Sequence, residues 1–214
     1  MAQQKKVSAV VIRRLPRYYR YLGELLSTGI TRISSKELSE KMGVTASQIR
    51  QDLNCFGGFG QQGYGYNVEF LYMEISKILG VENGRSMIII GAGNLGRAIA
   101  GYANFAKRGF RLLALFDNNP ALVQQTVGNL TVYSMNELNR FLQSHQVDIA
   151  VLTIPRAAAQ QVTDQLANTG IRGIWNFSHM EVVPPPGICV ENVHLSDSLM
   201  TLSCNIEQMQ EQES

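Results

Sequence analysis

Three glycines and an aspartate hold the densest chemistry in this sequence. Gly91, Gly93 and Gly96 stand in the run Gly91-Ala92-Gly93-Asn94-Leu95-Gly96, directly after the apolar stretch "MIII", and Asp117 follows 21 residues after the last glycine. In a strand–turn–helix unit the first glycine permits the tight turn, and the second lets backbone amides approach a pyrophosphate. The third lets the helix lie close to the sheet with its positive end toward the phosphates. An acid closing the next strand accepts hydrogen bonds from ribose hydroxyls and repels a 2′-phosphate. The residues expected to hold a dinucleotide are therefore Gly91, Ala92, Gly93, Asn94, Leu95, Gly96, Asp117 and Asn118. Thr153, Ile154, Pro155, Asn176, Phe177 and Ser178 close two later strands and are expected beside the nicotinamide half, because ligands of such sheets lie at the carboxyl ends of the strands.

A second set of polar side chains lies in "TASQIRQDLNCFG". Ile49, Leu53 and Phe56 recur at helical spacing and are expected to face a core, leaving Ala46, Ser47, Arg50, Gln51 and Asn54 outward. Hydroxyl, amide and guanidinium groups are the chemistries that read base edges and phosphates in a major groove. The preceding "SSKELSEKMG" predicts a short helix opened by the capping box Ser34-x-x-Glu37 and stopped by Gly43, and Thr45-x-x-Gln48 reads as a second box. Two such helices form a helix-turn-helix. Next, "FGGFGQQGYGYNV" alternates aromatics with glycines, as the hairpin of a wing does. The expected DNA contacts are Arg14, Ser47, Gln48, Arg50, Gln51 and Asn54, with Gln61 and Gln62 in the wing. A helical domain with an ordinary polar face is the plainer alternative. Charge favours DNA: residues 1–50 hold ten Lys/Arg against three Asp/Glu, whereas 83–214 hold eight against ten.

The elements around these residues follow from periodicity. "VVIRRLPRYYRYLGELLSTGI" places Leu15, Tyr18, Tyr19, Leu22, Leu25 and Leu26 at a helical period, with Pro16 in a first turn or at a kink and Gly29 at the end. After the glycine run, "RLLALFD", a helix capped by Ser134-x-x-Glu137, "VDIAVLTIP", "RAAAQQVTDQLANTG", "IRGIWNFS" and "ICVEN" alternate strand and helix. That alternation builds a doubly wound parallel sheet of the Rossmann type. The C-terminal "LSDSLMTLSCNIEQMQEQES" spaces Leu195, Leu199, Leu202, Ile206 and Met209 as an a/d seam, which packs either on another helix or on its own domain. The expected domains are a winged-helix DNA-binding domain over 1–82, a dinucleotide domain over 83–192 and a C-terminal helix over 193–214.

No acid–base set for hydride transfer accompanies the glycine motif, so the chain is not expected to be an enzyme. Cys55, Cys189 and Cys204 lack CxxC spacing and are expected to be buried reduced thiols, and His145, His179 and His194 lack metal-ligand spacing. No apolar run approaches the ~18 residues of a membrane span, and the N-terminus has no signal-peptide pattern, which suits a cytoplasmic protein. Two other readings stay open. One is a small NAD-dependent oxidoreductase, and the other is a CoA-binding module.

Over nearly its whole length the chain resembles the Rex family of redox-sensing transcriptional repressors. The resemblance rests on "RLPRYYRYL", "TASQIRQDLNCFGGFGQQGYGYNV", "IIIGAGNLGRAIAGY", "LFDNNP", "LTIPRAAAQ", "GIRGIWNF" and "VENVHLSDSLMTLS", in the order winged helix, Rossmann domain, C-terminal helix. It implies a homodimer with the C-terminal helix swapped onto its partner. It also implies operator DNA bound when NADH is scarce and released when NADH binds, with NAD⁺ a weaker competitor. By the same match Arg20 and Tyr102 belong to the switch between the cofactor and DNA-binding domains. The chain departs from some members at His194, Gln51 and Gln62, where they have an aspartate, a lysine and an arginine. Fewer cations on the DNA side imply altered operator preference or a smaller salt dependence.

Overall fold

The computed structural model describes residues 8–54, 60–61 and 65–213, and the chain divides into two compact units, Met1–Asn83 and Gly84–Ser214.

In the first unit, α1 (Ala9–Ser27) is capped by Ser8, whose hydroxyl accepts from the Val11 amide. Pro16 sits inside this helix rather than in its first turn. Leu15, Tyr18, Leu22 and Leu25 form the buried stripe of α1, and Gly29 turns the chain beyond it at φ +76°. A strand, β1 (Arg32–Ile33), leads into α2 (Ser35–Met42). The capping box forms, with Ser34 Oγ accepting from the Glu37 amide and Glu37 accepting from the Ser34 amide, and Gly43 closes α2 in the left-handed conformation. At α3 (Ala46–Asn54) only half of the expected second box is present. Thr45 Oγ1 accepts from the Gln48 amide, but the Gln48 side chain turns to Asp52 instead of back to Thr45.

The wing is a three-stranded antiparallel sheet in the order β1, β3 (Gly65–Asn67), β2 (Gly60–Gln61), with Gly60 opposite Tyr66 and Ile33 also opposite Tyr66. Phe56 and Gln62 lie outside the described residues. A further helix, α4 (Val68–Leu79), goes beyond the sequence expectations. It is capped by Asn67 and stopped by Gly80, and it contributes Val68, Leu71 and Ile75 to a core shared with α1, α2 and α3.

In the second unit, β4 (Arg85–Ile90), α5 (Asn94–Ala100), α6 (Asn104–Lys107), β5 (Phe110–Asp117), β6 (Thr126–Val127) and β7 (Leu130–Ser134) are followed by α7 (Leu138–Ser144), β8 (Ile149–Leu152), α8 (Arg156–Gln165), β9 (Gly173–Asn176), β10 (Cys189–Asn192) and α9 (Leu195–Glu213). The sheet order is β10-β9-β8-β4-β5-β7-β6, parallel except for the β6–β7 hairpin. Both strands of that hairpin, and with them the parallel pairing of β7 with β5, are absent from the sequence expectations. Successive residues of β4 point to opposite faces. Met87 and Ile89 join the core under α5 and α6, while Ile88 and Ile90 join the core under α7 and α8. This is why "MIII" reads as an unbroken apolar run: a strand buried on both faces has no polar side.

Candidate functional site

The chain leaves β4 toward β5 and β7, then returns to lay β8 against the other edge of β4. Such a reversal opens a crevice at the carboxyl ends of the two central strands. Gly91 begins the crevice at φ +105°, and its amide donates to the Phe116 carbonyl at 2.8 Å. A Cβ on Gly91 would strike the Thr153 carbonyl, and one on Gly96 would strike the Gly91 carbonyl. A Cβ on Gly93 would meet nothing within 4 Å. The first and third glycines are thus demanded by the fold itself, while the second faces open space.

Thr153 braces the turn, its hydroxyl donating to the Gly91 carbonyl at 2.8 Å. Asp117 closes β5, with Oδ2 accepting from the Ala92 amide and Oδ1 from the Asn119 amide, both at 2.7 Å. Around them lies a cleft of about 600 Å³ lined by Gly91, Gly93, Asp117, Asn118, Thr153, Ile154 and Pro155, with Phe116, Met135 and Val162 as an apolar floor.

Other residues expected here do not line the cleft. Ala92, Asn94, Leu95 and Gly96 belong to the turn and α5 without lining this cleft. Asn176 and Phe177 are buried and do not line it either. Asn176 Nδ2 donates to the Met180 carbonyl and to Asn192 Oδ1, and its Oδ1 accepts from the Ser178 amide and hydroxyl. With its polar atoms engaged, Asn176 ties the ends of β9 and β10 together. Phe177 packs edge-on against Trp175.

In the helix-turn-helix, Ile49 and Leu53 are buried while Ser47, Arg50, Gln51 and Asn54 are exposed on α3. Arg50 donates to Ser35 Oγ at 3.2 Å across the turn. A groove of about 600 Å³ lies between the start of α1 and α3, bordered by Ser8, Val11, Gln51 and Asn54. Arg14 and Gln48, expected as DNA contacts, also border this groove, and both bond to Asp52 within the unit. Arg14 grips Asp52 through Nε and Nη2, both at 2.7 Å, Gln48 Nε2 donates to Asp52 Oδ1 at 2.9 Å, and the Tyr18 hydroxyl donates to Oδ2 at 2.9 Å.

Asp52 itself is fully buried, and nothing in a lone aspartate on a helix announces this role. Burial works against its charge, but the bonds from Arg14, Gln48 and Tyr18 together hold the carboxyl below the usual carboxylate range. Burial, then the bond to Asp52, pushes the Tyr18 hydroxyl well above its ordinary value. Gln61 pairs through its backbone with Gly65 in the wing.

A family described as "Putative DNA-binding protein N-terminus" matches residues 6–54, and one described as "CoA binding domain" matches residues 82–180. The redox-sensing transcriptional repressor Rex of Clostridium botulinum (strain Alaska E43) is 52% identical over 208 residues, covering 97% of this chain and 99% of that protein. Rex of Clostridium acetobutylicum is 52% identical over 209 residues, covering 98% of each. The chain belongs to the Rex family of redox-sensing transcriptional repressors. Crystal structures of RSP, a Rex-family repressor, match it as well. The complex of RSP with β-NAD⁺ and operator DNA is 53% identical over 97% of this chain and 95% of that one, with a TM-score of 0.88. The complex of RSP with β-NADH is 50% identical over 98% of this chain and 99% of that one, also at 0.88.

In this Rex-family chain the residues expected to form the switch lie in separate units. Arg20 is exposed on α1, beside a hollow of about 250 Å³ bordered also by Arg17, Tyr21, Glu24 and Lys41. Tyr102 is half exposed and packs edge-on against Phe105 at 4.8 Å. It lies beyond α5 rather than on it, because the helix stops at Ala100 with Gly101 as its cap.

Leu195, Leu199, Leu202, Ile206 and Met209 are all exposed, from 46% to 67%, so the seam of α9 does not pack on its own domain. Cys189 and Cys204, expected to be buried, are exposed free thiols, and Cys55 lies outside the described residues. Among the described residues no group of three or more His, Cys, Asp or Glu could hold a metal, and no helix is long and apolar enough to cross a membrane.

Proposed function

We propose that this chain is an NADH-responsive transcriptional repressor, working in the cytoplasm as a homodimer that binds palindromic operator DNA and is released when NADH occupies its Rossmann unit. One observation carries the reading: RSP, half identical over nearly the whole chain, was crystallised both with β-NAD⁺ and operator DNA and with β-NADH. The residues present fit both ligands. The cleft offers the open side of Gly93 to a pyrophosphate and the Asp117 carboxylate to ribose hydroxyls, with Asn118, Thr153, Ile154 and Pro155 along its wall. The exposed Ser47, Arg50, Gln51 and Asn54 of α3 present groups suited to base edges and phosphates.

Asp117 also weighs against coenzyme A, despite the family description matched by residues 82–180. Coenzyme A has a phosphate on its adenosine ribose, and a carboxylate placed to receive free hydroxyls repels it. The cofactor is thus the signal and not a reagent, and the protein, a member of a repressor family, is a regulator rather than an enzyme. Two copies of α3 related by a two-fold axis read two half-sites.

Operator-binding isotherms with and without NADH test the function. Saturating NADH is expected to weaken operator binding, and Arg50→Ala is expected to cost ~1–3 kcal/mol of DNA affinity while leaving NADH binding intact. An operator isotherm unmoved by saturating NADH sinks the sensor reading.

A further inference from the structure

A closed circuit of hydrogen bonds runs around the far side of the glycine turn. Asp117 Oδ2 accepts from the Ala92 amide at 2.7 Å, and the Ala92 carbonyl accepts from Arg97 Nε at 2.9 Å. Arg97 Nη2 then reaches across to Gln125 Oε1 at 2.7 Å, and Gln125 Nε2 donates to the Ala121 carbonyl at 2.6 Å. The Ala121 amide donates to Asn119 Oδ1 at 3.0 Å, and the Asn119 amide returns to Asp117 Oδ1 at 2.7 Å. The two peptides flanking Ala92 are therefore each held, one by a carboxylate at the Ala92 N–H and the other by a guanidinium at the Ala92 C=O. Gln125 is itself delivered by a costly turn, since the preceding Gln124 is a non-glycine residue at φ +66°.

We propose that Arg97 and Gln125 are positioning residues for the adenosine half of the dinucleotide. The inference rests on the cofactor reading above. A glycine-rich turn loses much conformational freedom when a ligand orders it, and a turn already held in place forfeits less affinity. The circuit supplies that restraint. It fixes the turn against the loop after β5 and aims both oxygens of Asp117, each of which keeps a lone pair for a ribose hydroxyl. Gln125 is exposed and Arg97 only half-buried, so their role does not reduce to core packing. The circuit's members Asp117 and Asn119 line the cleft, while Arg97 and Gln125 do not.

The consequence is a particular pattern of losses. Because the circuit touches only the adenosine end, breaking it weakens every ligand sharing that end by one common factor. Arg97→Met and Gln125→Leu are each expected to weaken NADH, NAD⁺ and ADP-ribose about three- to tenfold, the scale of one or two ordinary hydrogen bonds. The ratio of NADH to NAD⁺ affinity is expected to stay unchanged. Since both side chains serve one circuit, the double variant is expected to lose no more than the larger single loss, a coupling that independent structural damage would not show.

Calorimetric titration of the full-length protein and the three variants with each ligand reads these values, with thermal midpoints measured alongside. If Arg97→Met does not fold, Gln125→Leu, at an exposed side chain, still gives the common-factor test. A wild-type protein that binds none of the three ligands overturns the cofactor reading and this inference with it. A wild type that binds them, with variants of equal affinity or a loss confined to NADH, overturns the positioning role alone.

Discussion

Asp117 is a small feature with a sharp consequence. Both of its oxygens are pinned by backbone N–H groups, so the carboxylate cannot swing away from a ligand at the edge of the cleft. A 2′-phosphate brought beside it makes a like-charge contact worth on the order of 2–4 kcal/mol in a partly dry site. NADH is therefore expected to bind at least about thirtyfold more tightly than NADPH. Asp117→Ser is expected to shrink that preference while also weakening NADH, because the turn loses its acceptor. Fluorescence titrations of both nucleotides against both proteins measure this, and equal affinities in the wild type would remove Asp117 from the site. The glycines and Asp117 were legible because each answers a geometric demand with one residue type. Thr153 was legible only as a residue at a strand end. That its hydroxyl braces the Gly91 carbonyl depends on β8 lying next to β4, which no local pattern contains.

At the scale of elements, the recognition helix α3 is fastened to α1 through a buried carboxylate. Asp52 receives four hydrogen bonds from Arg14, Tyr18 and Gln48. Taking one partner from a buried ion pair leaves an uncompensated charge and typically costs about 3–5 kcal/mol. Arg14 is partly exposed, which puts Arg14→Met near the lower end, about 3 kcal/mol, with weakened operator binding and NADH binding intact.

The same carboxyl sets a pH dependence. Its pKa is lowered in the folded state, so its contribution to stability is complete above the unfolded carboxyl's value of about 4 and is lost as pH falls below that value. Urea unfolding followed from pH 7 to pH 3 is expected to show a shallower acid loss in Asp52→Asn than in the wild type. Glu37 and Asp148 are also held low, but they are common to both proteins and cancel in the difference. Identical slopes would mean that Asp52 has the same pKa in the folded and unfolded states. The sequence reading of Arg14 as a DNA contact did not include its bonds to Asp52, because packing, not local pattern, brings α1 against α3.

The whole molecule is decided by α9. Its exposed Leu195, Leu199, Leu202, Ile206 and Met209 form an apolar stripe along the helix, a surface suited to a second copy of the chain. Removal of residues 195–214 is expected to give a monomer with operator affinity reduced at least tenfold, since one winged helix then reads one half-site. Light scattering on the truncated protein and a matching operator titration check this; a soluble, intact dimer would contradict it. In the full-length protein, whatever factor NADH imposes on operator affinity must be returned by operator DNA on NADH affinity, because both are read from one thermodynamic cycle.

By itself the sequence determined what short-range rules control: the GxGxxG turn, the strands that are apolar on both faces, the Ser34 capping box, the outward polar face of α3 and the heptad spacing of α9. Each of these is set within about four residues, where backbone sterics and helical or strand periodicity decide the outcome. Tertiary structure decided the rest. It drew Arg14 and Gln48 onto Asp52, buried Asn176 in a knot between β9 and β10, ended α5 before Tyr102, and closed the circuit through Arg97 and Gln125. Those outcomes join residues between 4 and 38 positions apart. A buried polar group must find a partner wherever the fold brings one, and the spacing of residues along the chain does not say which partner that is.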